Sequence, residues 1–453
     1  MRRWSGDVAV VGAGTAGANV AARLARSGLS VLLLERRELD RGGAHWSNGV
    51  VEWQFDAAGV ARPSGAERVR GGSRIHLRTL FDEPGVVVHD NPVVGVDMGA
   101  LGDRLRAEAG AAGVEAVDRI GAIRLVERDG RARALEVGEG RAGSTLRVEA
   151  SLFVDASGLR GALRTQSTIL RPWSPPVRPS ERCSAADVVF AVADREAARR
   201  QLGSWNAEPG EAVNVLGAAG GFSTRSVAVS EDLHEVRVLV GCVADGRHGP
   251  AQRLLTEVRR LHPWIGERLH GGAGLIPLRR PFSRFTAPGL ASVGDAAAQV
   301  FPAHGSGVGT GLLAGSLLAE TVKGASDPGD EQTLWRYQHE FFRRHGPDLA
   351  FYDGFRRYSS RIGGRGVREM LRSGMLTEHL AWCGLNQTRG STLPSEVPGV
   401  LLGVGRAPQA GLRIVPSLVR CSAAASLAGR HPAGADLRVL GRWDRRLDRL
   451  IGG

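Results

Sequence analysis

Residues 7–35 read DVAVVGAGTAGANVAARLARSGLSVLLLE, and the reading of the fold starts there. An apolar run at 8–11 meets Gly12-Ala-Gly14-Thr-Ala-Gly17. An alanine-rich segment at 18–26 suits a helix, and a second apolar run at 29–34 ends in Glu35. Strand, glycine turn, helix, strand, acid is the order that holds a dinucleotide. Gly12 permits the tight turn, Gly14 lets a pyrophosphate come close to the backbone, and Gly17 lets the helix lie tightly on the strands. Thr15 and Ala16 open the helix, whose free N–H groups and positive dipole end suit phosphates. Glu35 stands 18 residues past Gly17, where it can accept hydrogen bonds from a ribose. An ordinary glycine turn would leave the acid and the bare positions unexplained.

Outward from this unit, residues 36–59 are loop-like, with turn signals at Gly42-Gly43 and Asn48-Gly49 and two tryptophans, Trp46 and Trp53. Short β-like runs follow at 86–89 and 93–96, then helical spacing at 101–112. Runs at 122–126 and 134–137 flank Asp129-Gly130 and predict a hairpin. A proline-rich stretch, 171–179, marks a domain crossing. Beyond it, 188–192, 213–217, 223–229 and 235–243 are β-rich. Val236, Val238 and Val240 alternate with Arg237 and Leu239, as in a sheet with one covered face. An amphipathic helix is expected at 250–261, a strand at 290–293 and a helix of small residues at 307–322. After Gly324 the chain reads as mostly helical and arginine-rich, at 334–344, 367–375 and 440–450.

The 453 residues suit two or three domains with a large core, and 42% hydrophobic content is ordinary for a globular protein. The net charge is +12, carried almost wholly by arginine, with Lys323 the only lysine. The arginines are dispersed, which reads first as a solvated basic surface and second as peripheral contact with an anionic membrane. No platform of aromatic and basic residues speaks for nucleic acid. Cys183, Cys242, Cys383 and Cys421 lie far apart, with no metal-ligand spacing, so no metal is expected and the thiols read as reduced packing residues. The early start of the nucleotide unit leaves no room for a signal peptide, and no charge-free apolar stretch reaches 18 residues. The expectation is a cytoplasmic protein, peripheral to a membrane if it meets one.

Two further segments point to a flavin. One is Phe153-Val-Asp155-Ala-Ser-Gly158. The other is Gly294-Asp295, followed by Pro302-Ala-His304-Gly305-Ser-Gly307-Val308-Gly309. Each brings a short apolar strand to an Asp beside glycine, at the strand end where ligands bind. Gly305, Gly307 and Gly309 open a helix, and bare amides at a helix N-terminus suit the negative charge of a reduced flavin.

In these residues the chain resembles the p-hydroxybenzoate hydroxylase-type FAD proteins and, within them, the geranylgeranyl reductase group. The resemblance covers about residues 6–325. It implies that Gly12, Gly14, Gly17 and Glu35 hold the ADP moiety and that Asp155 and Gly158 form the second motif. It further implies that Gly294 and Asp295 meet the ribityl chain, and that Pro302 with Gly305–Gly309 forms the isoalloxazine loop. Leu275-Ile276-Pro277 sits where that group has an Ile-Pro or Phe-Pro element. Arg36 and Arg41 lie in or beside a loop that in this fold approaches the cofactor, and an arginine there suits FAD phosphates. Two departures weaken transfer of a polyprenyl substrate. The group often has an Arg before the 101–112 helix, where Met98 stands here, and its loop often reads Asn-Pro-Leu-Thr-Gly-Gly-Gly in place of 301–307.

The expected fold is therefore α/β. A discontinuous Rossmann-like FAD-binding domain takes 1–165 and 286–325, a β-sheet substrate domain takes 166–285, and a helical region takes 326–453. The expected activity is an FAD-dependent oxidoreductase moving hydride between flavin and an apolar substrate, polyprenyl or polyketide-like, with NADH or NADPH as a transient donor. No second dinucleotide fold is evident: residues 401–411 put Pro408 where a third glycine belongs, and no acid-ended strand follows. A monooxygenase on the same fold is the alternative, and a non-catalytic, FAD-stabilised binding protein is the alternative of another class. A halogenase is disfavoured: that group implies a Trp-x-Trp-x-Ile-Pro motif, which is absent here, and an essential lysine, whereas Lys323 lies past the flavin helix. His304, beside the flavin-facing glycines, is the candidate proton donor, with loop packing as its other reading.

Overall fold

The parallel strands of the nucleotide unit all stop at one edge, and that edge organises the molecule. A computed structural model describes residues 2–69, 72, 74–80, 85–139, 144–220, 222–247, 249–390 and 395–452. The chain opens with β1 (Arg2–Val11), α1 (Thr15–Arg26) and β2 (Val31–Leu34). The stretch expected as loop instead contains β3 (Ser47–Val51) and α2 (Glu52–Ala58). Val50, Val51 and Phe55 are buried there, and tertiary packing overrides the turn-rich composition. Next come β4 (Arg68–Val69), β5 (Ile75–Arg78), β6 (Val86–Val88), β7 (Val93–Asp97) and α3 (Met98–Ala111). Then β8 (Glu115–Val117), the hairpin β9 (Ile120–Arg128) and β10 (Arg131–Glu139), and β11 (Thr145–Asp155) complete the first part of the chain.

The order β17-β18-β11-β1-β2-β8 forms one sheet, with β10 and β9 added beside β11; its last strands are β17 (Thr286–Ala287) and β18 (Leu290–Ser292). β1 pairs in parallel with both β2 and β11, and β18 pairs in parallel with β11. Alternate residues of β1 enter different cores. Val8 and Val10 face one helix layer, and Ala9 and Val11 face the other side. A strand covered on both faces explains the uninterrupted apolar run at 8–11.

A seven-stranded sheet, β16-β12-β15-β14-β13-β5-β6, stands beside it. It combines β5 and β6 with β12 (Arg182–Val192), β13 (Ala212–Leu216), β14 (Ser223–Val229), β15 (Glu235–Val243) and β16 (Ile265–Pro277). Val236, Val238 and Val240 are fully buried in a core shared with α4 (Arg195–Ser204) and α5 (Ala251–Leu261), the covered face the alternation predicts.

The remainder is helical: α6 (Val308–Val322), α7 (Glu331–Ser373), α8 (Glu378–Leu385), α9 (Val397–Arg406), α10 (Pro408–Ala428) and α11 (Leu437–Ile451). The helices expected at 334–344 and 367–375 belong to one long element, α7, broken only at Gly363, whose φ of 65° suits glycine. Residues 401–411 are helical, so no strand precedes their glycines. No helix among the described residues is long and apolar enough to cross a membrane.

Candidate functional site

Register brings the three glycine motifs together. Val11 stands opposite Leu34 on one side and Asp155 on the other, and Asp155 stands opposite Ser292. Gly12, Glu35, Ala156 and Val293 are therefore the next residues out, side by side at the carboxyl edge of the sheet. This is where an open parallel sheet binds ligands.

The glycines at that edge have separable jobs. Gly12 has φ +107°, and a Cβ there would run into Ala156 O. A Cβ on Gly17 would overlap Gly12 O, so both positions are closed to any side chain. Gly14 is different: the nearest atom to its Cβ direction is Gly43 Cα at 3.5 Å, which leaves its face open. Glu35 is buried. Its Oε2 accepts from Ala13 N at 2.9 Å and its Oε1 from Arg37 N at 3.0 Å, pinning the glycine turn to the end of β2.

Helices α1 and α6 lie side by side and parallel. The Cβ direction of Gly311 meets Ala16 Cβ at 3.2 Å, and that of Gly315 meets Val20 Cβ at 3.2 Å. The pairing advances in the same sense along both helices, so their N-termini share one end. Gly294, with φ +64°, adjoins Ala16 there at 3.3 Å. Neither helix has a side-chain cap, whereas Asp97, Asp194, Asp330, Thr377 and Asp436 cap α3, α4, α7, α8 and α11. Two sets of first-turn N–H donors and two positive dipole ends thus converge at the glycine edge, which suits a pyrophosphate and an electron-rich ring.

The two motif aspartates differ. Asp295 has no hydrogen-bond partner for its carboxylate among the described residues, and burial pushes its pKa up to about 6. It retains partial solvent access although protein atoms crowd it, the situation of a side chain lining a recess. A desolvated, unpartnered carboxylate fits the hydroxyls of a ribityl chain. Asp155, expected among the cofactor residues, spends its carboxylate on the protein's own backbone and Ser157. It is fully buried. Its Oδ1 accepts from Ser157 N and Oγ, and its Oδ2 from Leu163 N at 2.9 Å and Arg164 N at 2.7 Å. It ties the 157–164 turn together and leaves Gly158, at φ +72° with open space around it, as that motif's exposed element.

The expected arginines also move. Arg36 is exposed, and Arg41, also exposed, pairs with Glu38 at 3.1 Å. Arg37 reaches Gly43 O at 2.7 Å. Arg106, on α3, was not anticipated. It is buried and donates to Ala13 O at 3.1 Å and Gly42 O at 2.9 Å, clamping the 40–43 loop against the first turn. Its signal in the sequence is spacing: Arg106 follows Gly102 by four residues, on the face that buries Leu101 and Leu105.

The second loop is tight: Phe301 N–H donates to Ser306 O, and Gly305 N–H to Phe301 O, both at 2.9 Å. Pro302 and Val308 are buried, Gly305 has φ +72°, and Gly307 is the helix N-cap. A Cβ on Gly309 would collide with Gln54. Ile276 and Leu278, at and just after the end of β16, lie 3.5–3.7 Å from the Cβ direction of Gly305, and the Trp46 ring covers Gly272 and Gly274. Apolar side chains thus wall the side of the loop that faces the second sheet. His304 keeps solvent access. Its Nε2 lies 3.3 Å from Gly384 O, its ring packs on Phe301 at 4.7 Å, and burial pushes its pKa down, towards about 4. The geometry is that of a latch between the loop and α8. All four cysteines are buried and free, with Cys183 pushed up to about 12 by burial.

Comparison with known proteins agrees with this edge. Residues 7–94 match the family model "FAD dependent oxidoreductase". Over 401 residues the chain is 24% identical to digeranylgeranylglycerophospholipid reductase of Sulfolobus acidocaldarius, covering 83% of this chain and 82% of that one. A geranylgeranyl bacteriochlorophyll reductase-like protein from Thermoplasma acidophilum superimposes with a TM-score of 0.71, at 16% identity over 90% of this chain and 98% of that one. A flavin-dependent brominase has the same fold, with a TM-score of 0.62 at 15% identity over 90% of this chain and 99% of that one.

Proposed function

We infer that this FAD-dependent oxidoreductase saturates carbon–carbon double bonds in a polyprenyl chain carried on a membrane lipid. The chain's fold would be the p-hydroxybenzoate hydroxylase type, in its geranylgeranyl reductase branch. The observation that carries the reading is the apolar wall at the second loop. Ile276, half-buried beside Gly305 and backed by the buried Leu278, and the half-buried Trp46 over Gly272 and Gly274 give a hydrocarbon chain an apolar surface along β16. The extended likeness to a named lipid reductase supports the choice of hydrocarbon.

In this reading Gly12, Gly14, Thr15, Ala16 and Gly17 hold the pyrophosphate, with Glu35 at the ribose. Gly158, Gly294 and Asp295 flank the ribityl chain, and Pro302, Gly305, Gly307, Val308 and Gly309 cradle the ring system. Residues 1–165 and 286–325 supply most of this cradle, 166–285 supply the substrate wall together with β5 and β6, and 326–453 close it from outside. FAD held there would supply hydride chemistry, with NADH or NADPH as a transient donor. Saturation adds that hydride to one carbon and a proton to the other. His304, 3.3 Å from Gly384 O, holds the loop in place, and solvent is the source of the proton. The protein meets its substrate at a membrane surface and remains peripheral to it.

The test is an anaerobic incubation of the yellow protein with NADPH or NADH and a digeranylgeranyl phospholipid, read by mass spectrometry. The expected product gains two hydrogens per reduced double bond without oxygen. Substrate-stimulated oxygen use with a hydroxylated product would overturn the reading in favour of a monooxygenase on the same fold. Substrate-independent behaviour with FAD retained would favour a binding protein.

A further inference from the structure

We propose that the outer face of α9 and α10 is the surface by which the protein docks on an anionic lipid bilayer. The proposal deepens the function above and rests on that reading only for its purpose. Large apolar side chains are exposed here in a group: Val397, Leu401 and Leu402 on α9, and Leu412, Val415 and Val419 on α10, with Leu412 76% exposed. At 100° per residue, Leu412, Val415 and Val419 fall within a 60° stripe on α10. The opposite side carries Ile414, Cys421, Ala424 and Ala425, all buried. The helix therefore uses one apolar face internally and presents a second to the outside. That second face is a contiguous patch of the kind that marks an interaction surface.

Charge chooses the occupant. Between residues 397 and 435 the chain has no Asp or Glu, and it has Arg406, Arg413, Arg420 and Arg430. Arg413 and Arg420 are seven residues apart, on one flank of the apolar stripe, and both are exposed. A second copy of this face would bring like charges together, with no acid on either helix to offset them. Anionic headgroups offset them, while the leucines and valines reach the acyl boundary, as in a helix lying in the interface plane. The same helical region also reaches the candidate site through the end of α8. At the end of α8, Gly384 O meets His304, Asn386 O accepts from Trp53 Nε1 at 3.1 Å, and Gln387 Oε1 accepts from Gln54 Nε2 at 2.9 Å.

The experiment is flotation of the full-length, FAD-loaded protein with vesicles of phosphatidylglycerol and phosphatidylcholine, against vesicles of phosphatidylcholine alone. No polyprenyl lipid is present, so the result is independent of the reductase reading. The protein should float with the anionic vesicles only, and added salt should release it. Leu412→Asp should abolish flotation. Arg406→Gln with Arg413→Gln should weaken it by roughly fivefold per arginine. Arg128→Gln with Arg200→Gln, exposed charges elsewhere, should leave it unchanged, and all variants should keep their flavin absorbance. Equal binding to neutral vesicles, or binding unmoved by Leu412→Asp, overturns the proposal. So does a vesicle-free dimer that Leu412→Asp dissolves. Docking without lipid reduction would leave this surface standing and remove the function.

Discussion

Two aspartates in look-alike motifs have opposite assignments because of what surrounds each carboxylate. Asp155 is saturated by protein donors, and Asp295 has none. The free protein holds Asp295 near a pKa of about 6, and hydroxyl donors from a ligand would lower it. Binding FAD then releases a proton, so affinity should be full above about pH 6 and fall as the pH drops through it. Titration of apoprotein with FAD at several pH values checks this, and Asp295→Asn should bind more weakly with the pH dependence gone. A pH-independent affinity in the native protein would remove Asp295 from the ribityl contact. His304 illustrates the same point in reverse, because its sequence neighbours suggest chemistry whereas its N–H and ring are already engaged.

At the level of elements, the parallel pair α1 and α6 depends on small residues where they touch. Gly311→Leu would push α6 away from Ala16 and separate the two N-termini. The expected outcome is a folded protein purified with little or no flavin absorbance. The attachment of α7 depends on a buried charge cluster. Asp353 is fully buried, accepting from Arg280 N at 3.0 Å, Arg356 Nη2 at 3.1 Å and Arg357 Nε at 2.9 Å. Burial alone would raise its pKa, but Arg357 and Arg356 outweigh burial and hold it well below the usual carboxylate range. Asp353→Asn leaves Arg356 buried beside a neutral group, which should cost about 3–5 kcal/mol and show as a lower urea midpoint. Arg280, bonded to Asp444 at 2.5 Å and Asp448 at 2.6 Å, docks α11 in the same way.

For the whole molecule, histidines buried where the C-terminal helices meet the core set the response to acid. His431 is buried, stacked on Phe342 at 4.7 Å, and burial with nearby His339 pushes it down to about 3. Its folded pKa lies below its unfolded value, so protons favour the unfolded chain. The stability from the neutral ring is complete above about pH 6.5 and is lost progressively as pH falls towards 3. His431→Gln should flatten the acid limb of a urea-midpoint-against-pH curve, even if it lowers the plateau. An unchanged slope would assign acid sensitivity elsewhere, with His345 the next candidate because burial pushes it down to about 4.

The nucleotide unit was legible because its signals are local. A turn needing φ of +107°, a helix start and an acid at a fixed spacing all lie within 35 residues. The hairpin at Asp129-Gly130 and strands β14 and β15 were legible for the same reason, since period-two burial is written in adjacent residues. What needed the tertiary structure was everything set by distant partners. Residues 47–58 form a strand and a helix because the core around Val50 and Phe55 accepts them. Two strands from 75–88 complete a sheet otherwise drawn from 182–277. Arg106, distant in sequence, clamps the glycine turn, and Asp295, and not Asp155, is left with a free carboxylate. Residue type and spacing encode backbone geometry, whereas a side chain's spare bonding capacity depends on neighbours that only folding assembles.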